Sequence, residues 1–290
     1  TGSIVNQGQL TGAGLDAFTL AGAVFVPRSV LTTTRQNFFL PGTQPGQLVD
    51  DIAVPIDCDI CHTAPMYDSW RGTMMGQSGR DPLMWAALST ANVDAPGSGD
   101  YCLRCHTPKG WLEGRSHPAD GSALEGEDIG AGVACAVCHR MVDPVPSTTD
   151  QAVAIDADIR AALTSTVPAG HVSSAMLIID PYDRRRGPFE LAFTFPYHSA
   201  YQTDFLGQSA DAVTESRLCG SCHNLDNPFL SWDAGRSQYW PNDTDSPASS
   251  FDKGELFPIE RTYDEWLNSD YATAGVYAPQ FAGDKPDGIV

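Results

Sequence analysis

The chain has 290 residues, a formal net charge of −19 at pH 7 and a hydrophobic fraction of 42%, which together exclude a wholly disordered chain. Its 36 acidic residues outnumber its 17 basic ones. Because phosphate binding needs clustered cations, nucleic acid is not an expected partner. No apolar run approaches the about 18 residues that a membrane-spanning helix needs. The sequence therefore predicts a globular chain without a membrane span.

The residues that usually build a core are sparse. Leu, Ile, Val and Phe make up 60 of the 290 residues, whereas Gly and Pro contribute 27 and 21. Such a composition favours turns over long regular elements. The predicted fold class is mostly irregular and loop-rich, with short α-helices and few short β-strands. A non-protein group is expected to complete the core.

Three segments are predicted along the chain. Residues 1–50 form an N-terminal extended arm or cap, residues 51–230 a core that contains every cysteine, and residues 231–290 a loop-rich segment with a short helix. Two short apolar runs in the first segment, Ala21–Val26 and Asn37–Leu40, suggest strand or extended structure. Local packing as a cap is favoured over an arm that reaches a neighbouring subunit, because termini often pack locally.

All eight cysteines fall into four CxxC pairs, and each pair is followed at once by a histidine. The four motifs are Cys58, Cys61 and His62; Cys102, Cys105 and His106; Cys135, Cys138 and His139; and Cys219, Cys222 and His223. Two thiols at this spacing lie on one side of a helical turn and can bind the two vinyl groups of one porphyrin, while the following imidazole reaches the iron. Zinc ribbons and redox dithiols also use CxxC, but they leave the repeated histidine unexplained. The motifs predict four c-type haems.

The sequence resembles the secreted multihaem c-type cytochromes, specifically the tetrahaem proteins. The resemblance covers residues 58–230 and is carried by the four motifs with their flanking segments 99–108, 132–142 and 218–224. It implies a chain wrapped around four haems that passes electrons to redox partner proteins or extracellular electron acceptors. It also implies export before haem attachment, to an extracellular or cell-surface location, with the periplasm as the alternative.

In haem number and arm-rich composition the chain is similar to the subunits of extracellular cytochrome nanowires. This similarity implies a homo-oligomer or filament. The competing class is a multihaem oxidoreductase with one open, catalytic haem. Because no motif histidine is replaced by lysine and no catalytic cluster is visible, an electron-transfer protein is favoured over an enzyme.

The count of axial ligands leaves one haem short. The chain has seven histidines, so only His117, His171 and His198 remain to serve as second ligands for four haems. Methionine is the usual substitute. In related cytochromes a stretch resembling Trp-x-x-Ser/Thr-x-His follows the first motif, and here Met75 occupies the histidine position, with Met74 as the nearest alternative. Core packing is the other role open to these methionines, and His117 could equally lie in an exposed turn.

Local patterns predict four regular elements. Asp81 followed by proline predicts a helix that extends to Asn92. A second helix is expected at about Thr149–Leu163, an apolar strand at Ala175–Ile179, and a capping box at Thr262 that begins a C-terminal helix.

Charged clusters complete the sequence features. The arginines at 184–186 could bind haem propionates or pair with Asp and Glu in an exposed loop. Three acidic segments offer the oxygen donors that Ca²⁺ prefers, although solvated loops are favoured because none matches an EF-hand. These segments are Glu125–Asp128, Asp226–Asp233 and Asn242–Asp245.

Overall fold

Short helices, small sheets and connecting loops make up the computed structural model, which describes residues 18–20, 23–25, 32–62, 64–189, 199–206, 212–283 and 285–290. His198 and the other residues between these ranges lie outside the described part. None of the described helices is long and apolar enough to cross a membrane.

Twelve α-helices lie in the described ranges, and only α4 exceeds ten residues. They are α1 (Pro55–Asp59), α2 (Ala64–Arg71), α3 (Met74–Gln77), α4 (Pro82–Asp94), α5 (Gly99–His106), α6 (Pro108–Leu112), α7 (Gly126–Ala131), α8 (Cys135–Arg140), α9 (Val153–Ala161), α10 (Ala212–Gly220), α11 (Thr262–Leu267) and α12 (Asp270–Thr273).

Seven short strands form three sheets within the same ranges. They are β1 (Phe18–Leu20), β2 (Ala23–Phe25), β3 (Arg184–Gly187), β4 (Ser199–Gln202), β5 (Leu225–Asp233), β6 (Gln238–Pro241) and β7 (Leu256–Glu260). Strands β1 and β2 pair antiparallel, and β3 and β4 pair parallel. The third sheet has the order β6-β5-β7 and is antiparallel.

Helix α4 confirms the predicted helix between the first two motifs. The Asp81 carboxylate accepts a hydrogen bond from the Leu83 amide at 2.8 Å, which satisfies one of the unpaired donors of the first turn. Met84 and Leu88 are buried in the core, whereas Leu83 is 77% exposed.

The helix predicted at Thr149–Leu163 is shorter at both ends, since α9 spans Val153–Ala161. The Ser147 hydroxyl accepts hydrogen bonds from the amides of Thr149 and Asp150. This local turn competes with the first helical turn and delays the start of the helix.

The capping box predicted at Thr262 is wrong, although the helix itself is present. Arg261 is the N-cap of α11, and the Thr262 amide donates to the Glu260 carboxylate at 2.6 Å. In a capping box the Glu265 carboxylate would accept the hydrogen bond from the Thr262 amide. The Glu260 carboxylate, at the end of β7, accepts it instead.

The predicted strand at Ala175–Ile179 is also wrong. The segment is completely buried, yet its only ladder contact is an isolated bridge from Ile179 to Met141. Its polar backbone groups pair with several parts of the chain instead: the Thr43 amide donates to Leu177, and the Val142 amide to Ile178. We call residues 171–180 the central segment.

The apolar run at Asn37–Leu40 is not extended over its whole length. Arg35–Phe38 form a 3-10 helix capped by Thr34. The Asn37 side chain donates to the carbonyls of Asp243 and Ser246 at 2.8 and 2.9 Å. The end of the predicted N-terminal segment therefore packs on the C-terminal part of the same chain.

Candidate functional site

Each of the four motifs forms one helical turn that runs from its first cysteine to its histidine. The His62 amide donates to the Cys58 carbonyl at 2.8 Å, and the His223 amide donates to the Cys219 carbonyl at the same distance. The second and third motifs lie within α5 and α8. Each turn thus places its two thiols and its imidazole together, as attachment of one porphyrin requires.

The motifs meet in pairs that are far apart in the chain. The thiols of Cys58 and Cys135 lie close enough to interact, as do those of Cys105 and Cys222. The first motif therefore lies against the third, and the second lies against the fourth.

The two thiols of the first pair are chemically unequal. The neighbouring Cys135 thiol, aided by the positive charge of Arg185, lowers the pKa of Cys58 to about 6. The same contact and burial raise the pKa of Cys135. A lowered thiol pKa favours the thiolate, which is the nucleophilic form.

The strand β3, which carries the three predicted arginines, holds the first and third motifs together. Arg185 contacts the Cys58 thiol, and the Arg186 carbonyl lies 2.6 Å from Nδ1 of His139. Because a carbonyl only accepts, Nδ1 carries the proton, and the Nε2 lone pair is the one suited to a metal.

The arginine side chains themselves pair with aspartates. Arg184 binds Asp180 at 2.7 Å, Arg185 binds Asp183, and Arg186 binds both Asp156 and Asp180. Pairing with acidic residues was one of the two predicted roles, but the setting is a partly buried strand rather than an exposed loop.

Another arginine, Arg104, lies inside the second motif and is buried. Its guanidinium donates to the carbonyls of Ala175 at 2.6 Å and Leu40 at 2.9 Å, and also to Pro41. It stacks over the Trp111 ring, 4.3 Å from the centroid. Burial lowers its pKa to about 10, so it remains charged at neutral pH.

Arg140, which follows the third motif directly, is held in the same manner. Its guanidinium is completely buried and donates only to backbone carbonyls, those of Asp180, Asp50 and Asp51. Arg104 and Arg140 therefore hold the middle and the C-terminal end of the buried central segment, where regular pairing is absent.

The fourth motif is covered by the C-terminal helix α11. A Cβ atom on Gly220 would lie 2.6 Å from the Tyr263 ring, and the Tyr263 amide donates to the His223 carbonyl at 2.9 Å. Only glycine, which has no Cβ atom, allows the Tyr263 ring to approach this closely. Because Gly220 stands between the two cysteines, the ring lies directly against the motif.

The histidine of the second motif has an unsatisfied nitrogen. Nδ1 of His106 is buried and has no hydrogen-bond partner among the residues that the structure describes, and burial lowers the pKa of this imidazole. The neutral ring that results is the form that binds iron.

The predicted second ligands occupy different settings. His171 is buried, and its Nε2 lies 3.1 Å from the Asp226 carboxylate, which also binds Arg261 and Ser173. His117 is exposed. Ligation by Nε2 of His171 would require exchange of Asp226 for iron, so its ligand role stays a prediction.

Met74 and Met75 lie on α3 with side chains 79% and 49% exposed. The Met75 carbonyl accepts hydrogen bonds from the amide of Val133 at 3.0 Å and the hydroxyl of Ser78 at 2.9 Å. Ser78 also donates to the carbonyl of His106. Helix α3 is thus fixed between the second motif and the residues preceding the third.

All three acidic segments considered for Ca²⁺ contain carboxylates with protein partners. Asp128 binds Arg115, Asp226 binds Arg261 and His171, and Asp245 accepts from the Thr34 hydroxyl. Within the described ranges, no three His, Cys, Asp or Glu side chains are grouped so as to hold a metal ion.

Exposed apolar side chains are frequent between the start of α1 and the end of α4. They are Ile56, Ile60, Met66, Met74, Met75, Leu83 and Val93. A porphyrin bound at the motif turns would supply apolar surface for such side chains, so this stretch of the chain fits a covalently held haem.

Comparisons of the chain with protein-family models, with curated proteins and with solved structures gave no match. The candidate site therefore depends on the chain's own residues. The buried positions of Arg104 and Arg140 and the contact between Tyr263 and Gly220 were not foreseen from the sequence. Arginines inside or next to a CxxCH motif were the one available signal for the first two.

Proposed function

We propose that the protein transfers electrons through four covalently bound c-type haems. The observation that carries this proposal is that four CxxCH motifs each form a helical turn and lie against one another in pairs. Haem groups attached at adjoining thiols come within short range of one another. Electron transfer among them needs no substrate pocket, so the protein is proposed to be a carrier rather than an enzyme.

The haem, once attached, supplies an iron that changes its charge by one electron. The chain's own residues hold it. In each motif the two cysteine sulfurs would hold the porphyrin through thioether bonds, each thiol hydrogen passing to the second carbon of the vinyl group that its sulfur joins. The motif imidazole would bind the iron, and at His139 the hydrogen bond to the Arg186 carbonyl fixes the ring that would do so.

The second axial ligands are proposed to be His117, His171, His198 and Met75. A thioether ligand raises the reduction potential relative to a second histidine. The haem that binds Met75 would therefore differ in potential from the other three.

The net charge of −19 becomes more negative when the haem propionates are added. We propose an extracellular or cell-surface location with redox proteins or external acceptors as partners, and assembly of copies into a filament. Electron micrographs of the purified protein test the assembly: filaments are expected, and monomeric particles under all conditions would count against it.

The mass of the purified protein tests haem attachment directly. The expected mass is that of the chain plus four haems, and each paired Cys→Ala change in one motif should remove one. Asp59→Asn, which alters a residue between Cys58 and Cys61 without removing a thiol, is the control that should keep all four. A colourless protein, or one that loses all pigment to acid-acetone, contradicts the proposed function.

A further inference from the structure

Given the proposed haem attachment, we propose that the four haems follow the spatial order first, third, fourth and second motif. Electrons would then enter and leave through the haems of the first and second motifs. The order along the electron path differs from the order along the chain.

The link between the first and third motifs is direct. Helix α1, which holds Cys58, packs against α8, which holds Cys135, although the two residues are far apart in the sequence. Strand β3 contacts both motifs, through the Arg185 side chain at Cys58 and the Arg186 carbonyl at His139.

The second and fourth motifs are joined in the same way by the central segment. The side chains of Cys102, Cys105 and Cys222 pack against the same apolar cluster. Arg104 donates to the Ala175 carbonyl at 2.6 Å, and the Ala175 amide donates to the carbonyl of Ser221, inside the fourth motif, at 2.6 Å. A single residue of the central segment therefore ties the two motifs together.

The third and fourth motifs connect the two pairs. The Cys138 thiol lies close enough to Cys219 and Cys222 for their charges to interact. Arg217, two residues before Cys219, forms a salt bridge of 2.6 Å with Asp143, which lies four residues after His139 of the third motif. Because a thioether fixes the porphyrin edge to its sulfur, adjoining thiols place porphyrin edges next to each other.

Two matched variants of the haem-loaded protein distinguish this order from the chain order. Cys102→Ala with Cys105→Ala removes the second haem, which is terminal in the proposed order and internal in the chain order. Cys219→Ala with Cys222→Ala removes the fourth haem, which is internal in the proposed order and terminal in the chain order. The charge of each haem affects the reduction potentials of its direct neighbours most strongly. Spectroscopic redox titration of the remaining haems therefore shows which of them were neighbours of the haem that was removed.

Loss of the second haem is expected to shift the potential of one remaining haem, and loss of the fourth to shift two. The reverse pattern overturns the proposed order. If either variant fails to fold, iron positions located by anomalous scattering in the unaltered protein decide: neighbouring irons at the first and second motifs would overturn it. Absence of covalent haem would refute the proposed function, whereas four haems in another order refute this inference alone.

Discussion

The imidazole Nδ1 of His139 donates a hydrogen bond over 2.6 Å to the backbone carbonyl oxygen of Arg186, 47 residues further along the chain. The carbonyl is held in place because the Arg186 guanidinium is buried between Asp156 and Asp180. A salt-bridge network thus orients the ring proposed to bind iron.

Arg186→Gln should destabilise the protein strongly. The change leaves the buried Asp156 carboxylate without its cation and Asp180 with Arg184 alone, for which a loss of about 3–5 kcal/mol is expected. The free energy of unfolding in denaturant measures it. The control is Arg236→Gln, which breaks an exposed pair with Asp233 and should cost about 0–1 kcal/mol. Equal losses of unfolding free energy in both variants would show that the buried ion pairs of Arg186 do not stabilise the fold.

Gly220→Val should displace α11 from the fourth motif. The new Cβ would lie 2.6 Å from the Tyr263 ring, and overpacking of this kind costs about 1–3 kcal/mol. Thermal unfolding and near-ultraviolet circular dichroism report the change. Gly130→Ala in α7 is the matched control, since a Cβ there meets nothing within 4 Å. It should leave stability unchanged or raise it by about 0.5–1 kcal/mol. A Gly220→Val variant as stable as the unaltered protein contradicts the close approach.

Asp226→Asn should weaken folding in a pH-dependent way. Burial raises the pKa of Asp226, but hydrogen bonds from His171, Arg261 and Ser173 outweigh burial and lower it. The stabilisation is therefore complete above the ordinary carboxyl pKa of about 3.9 and is lost as the pH falls through the lowered value.

At neutral pH the variant should be less stable by about 1–3 kcal/mol, because the donors to Asp226 lose a charged acceptor. The difference from the unaltered protein should shrink in acid, as unfolding free energies measured across pH will show. The exposed Asp158→Asn change should stay within about 0.5 kcal/mol at neutral pH. A difference that stays constant into strong acid would mean that the Asp226 charge plays no part.

Met75→Leu should remove the long-wavelength absorption band that an Fe(III)–thioether bond produces. Leucine keeps the apolar bulk but has no sulfur to bind iron. Met74→Leu on the same helix is the control and should keep the band. Loss of the band only in the Met74→Leu variant would reassign the ligand, and a band that survives both changes together excludes thioether ligation from α3.

Several features followed from the sequence because their physics is local. The aspartate cap of α4 needs only Asp81 and the amide of Leu83. The spacing within each CxxCH motif similarly dictates one helical turn. The loop-rich character was already expected from Gly, Pro and the sparse apolar residues. The haem function itself stays a prediction from the motifs.

Other features depended on residues distant in the chain. The Ala175–Ile179 run was expected to be a strand, but Arg104, Arg140 and Thr43 supply hydrogen bonds to the central segment from elsewhere. Such partners cannot be identified from local patterns, since apolar runs of this length suit a strand and a buried irregular segment equally.

Sequence alone thus determined where the four CxxCH motifs stand, and with them the thiols and imidazoles from which haem attachment is predicted, because this chemistry depends on residue type and spacing. Tertiary structure alone decided which motifs are neighbours. The first motif meets the third beside β3, and the second meets the fourth through the central segment. The physical reason is that these contacts join side chains and backbone groups distant in the chain, which leave no periodic trace in the sequence.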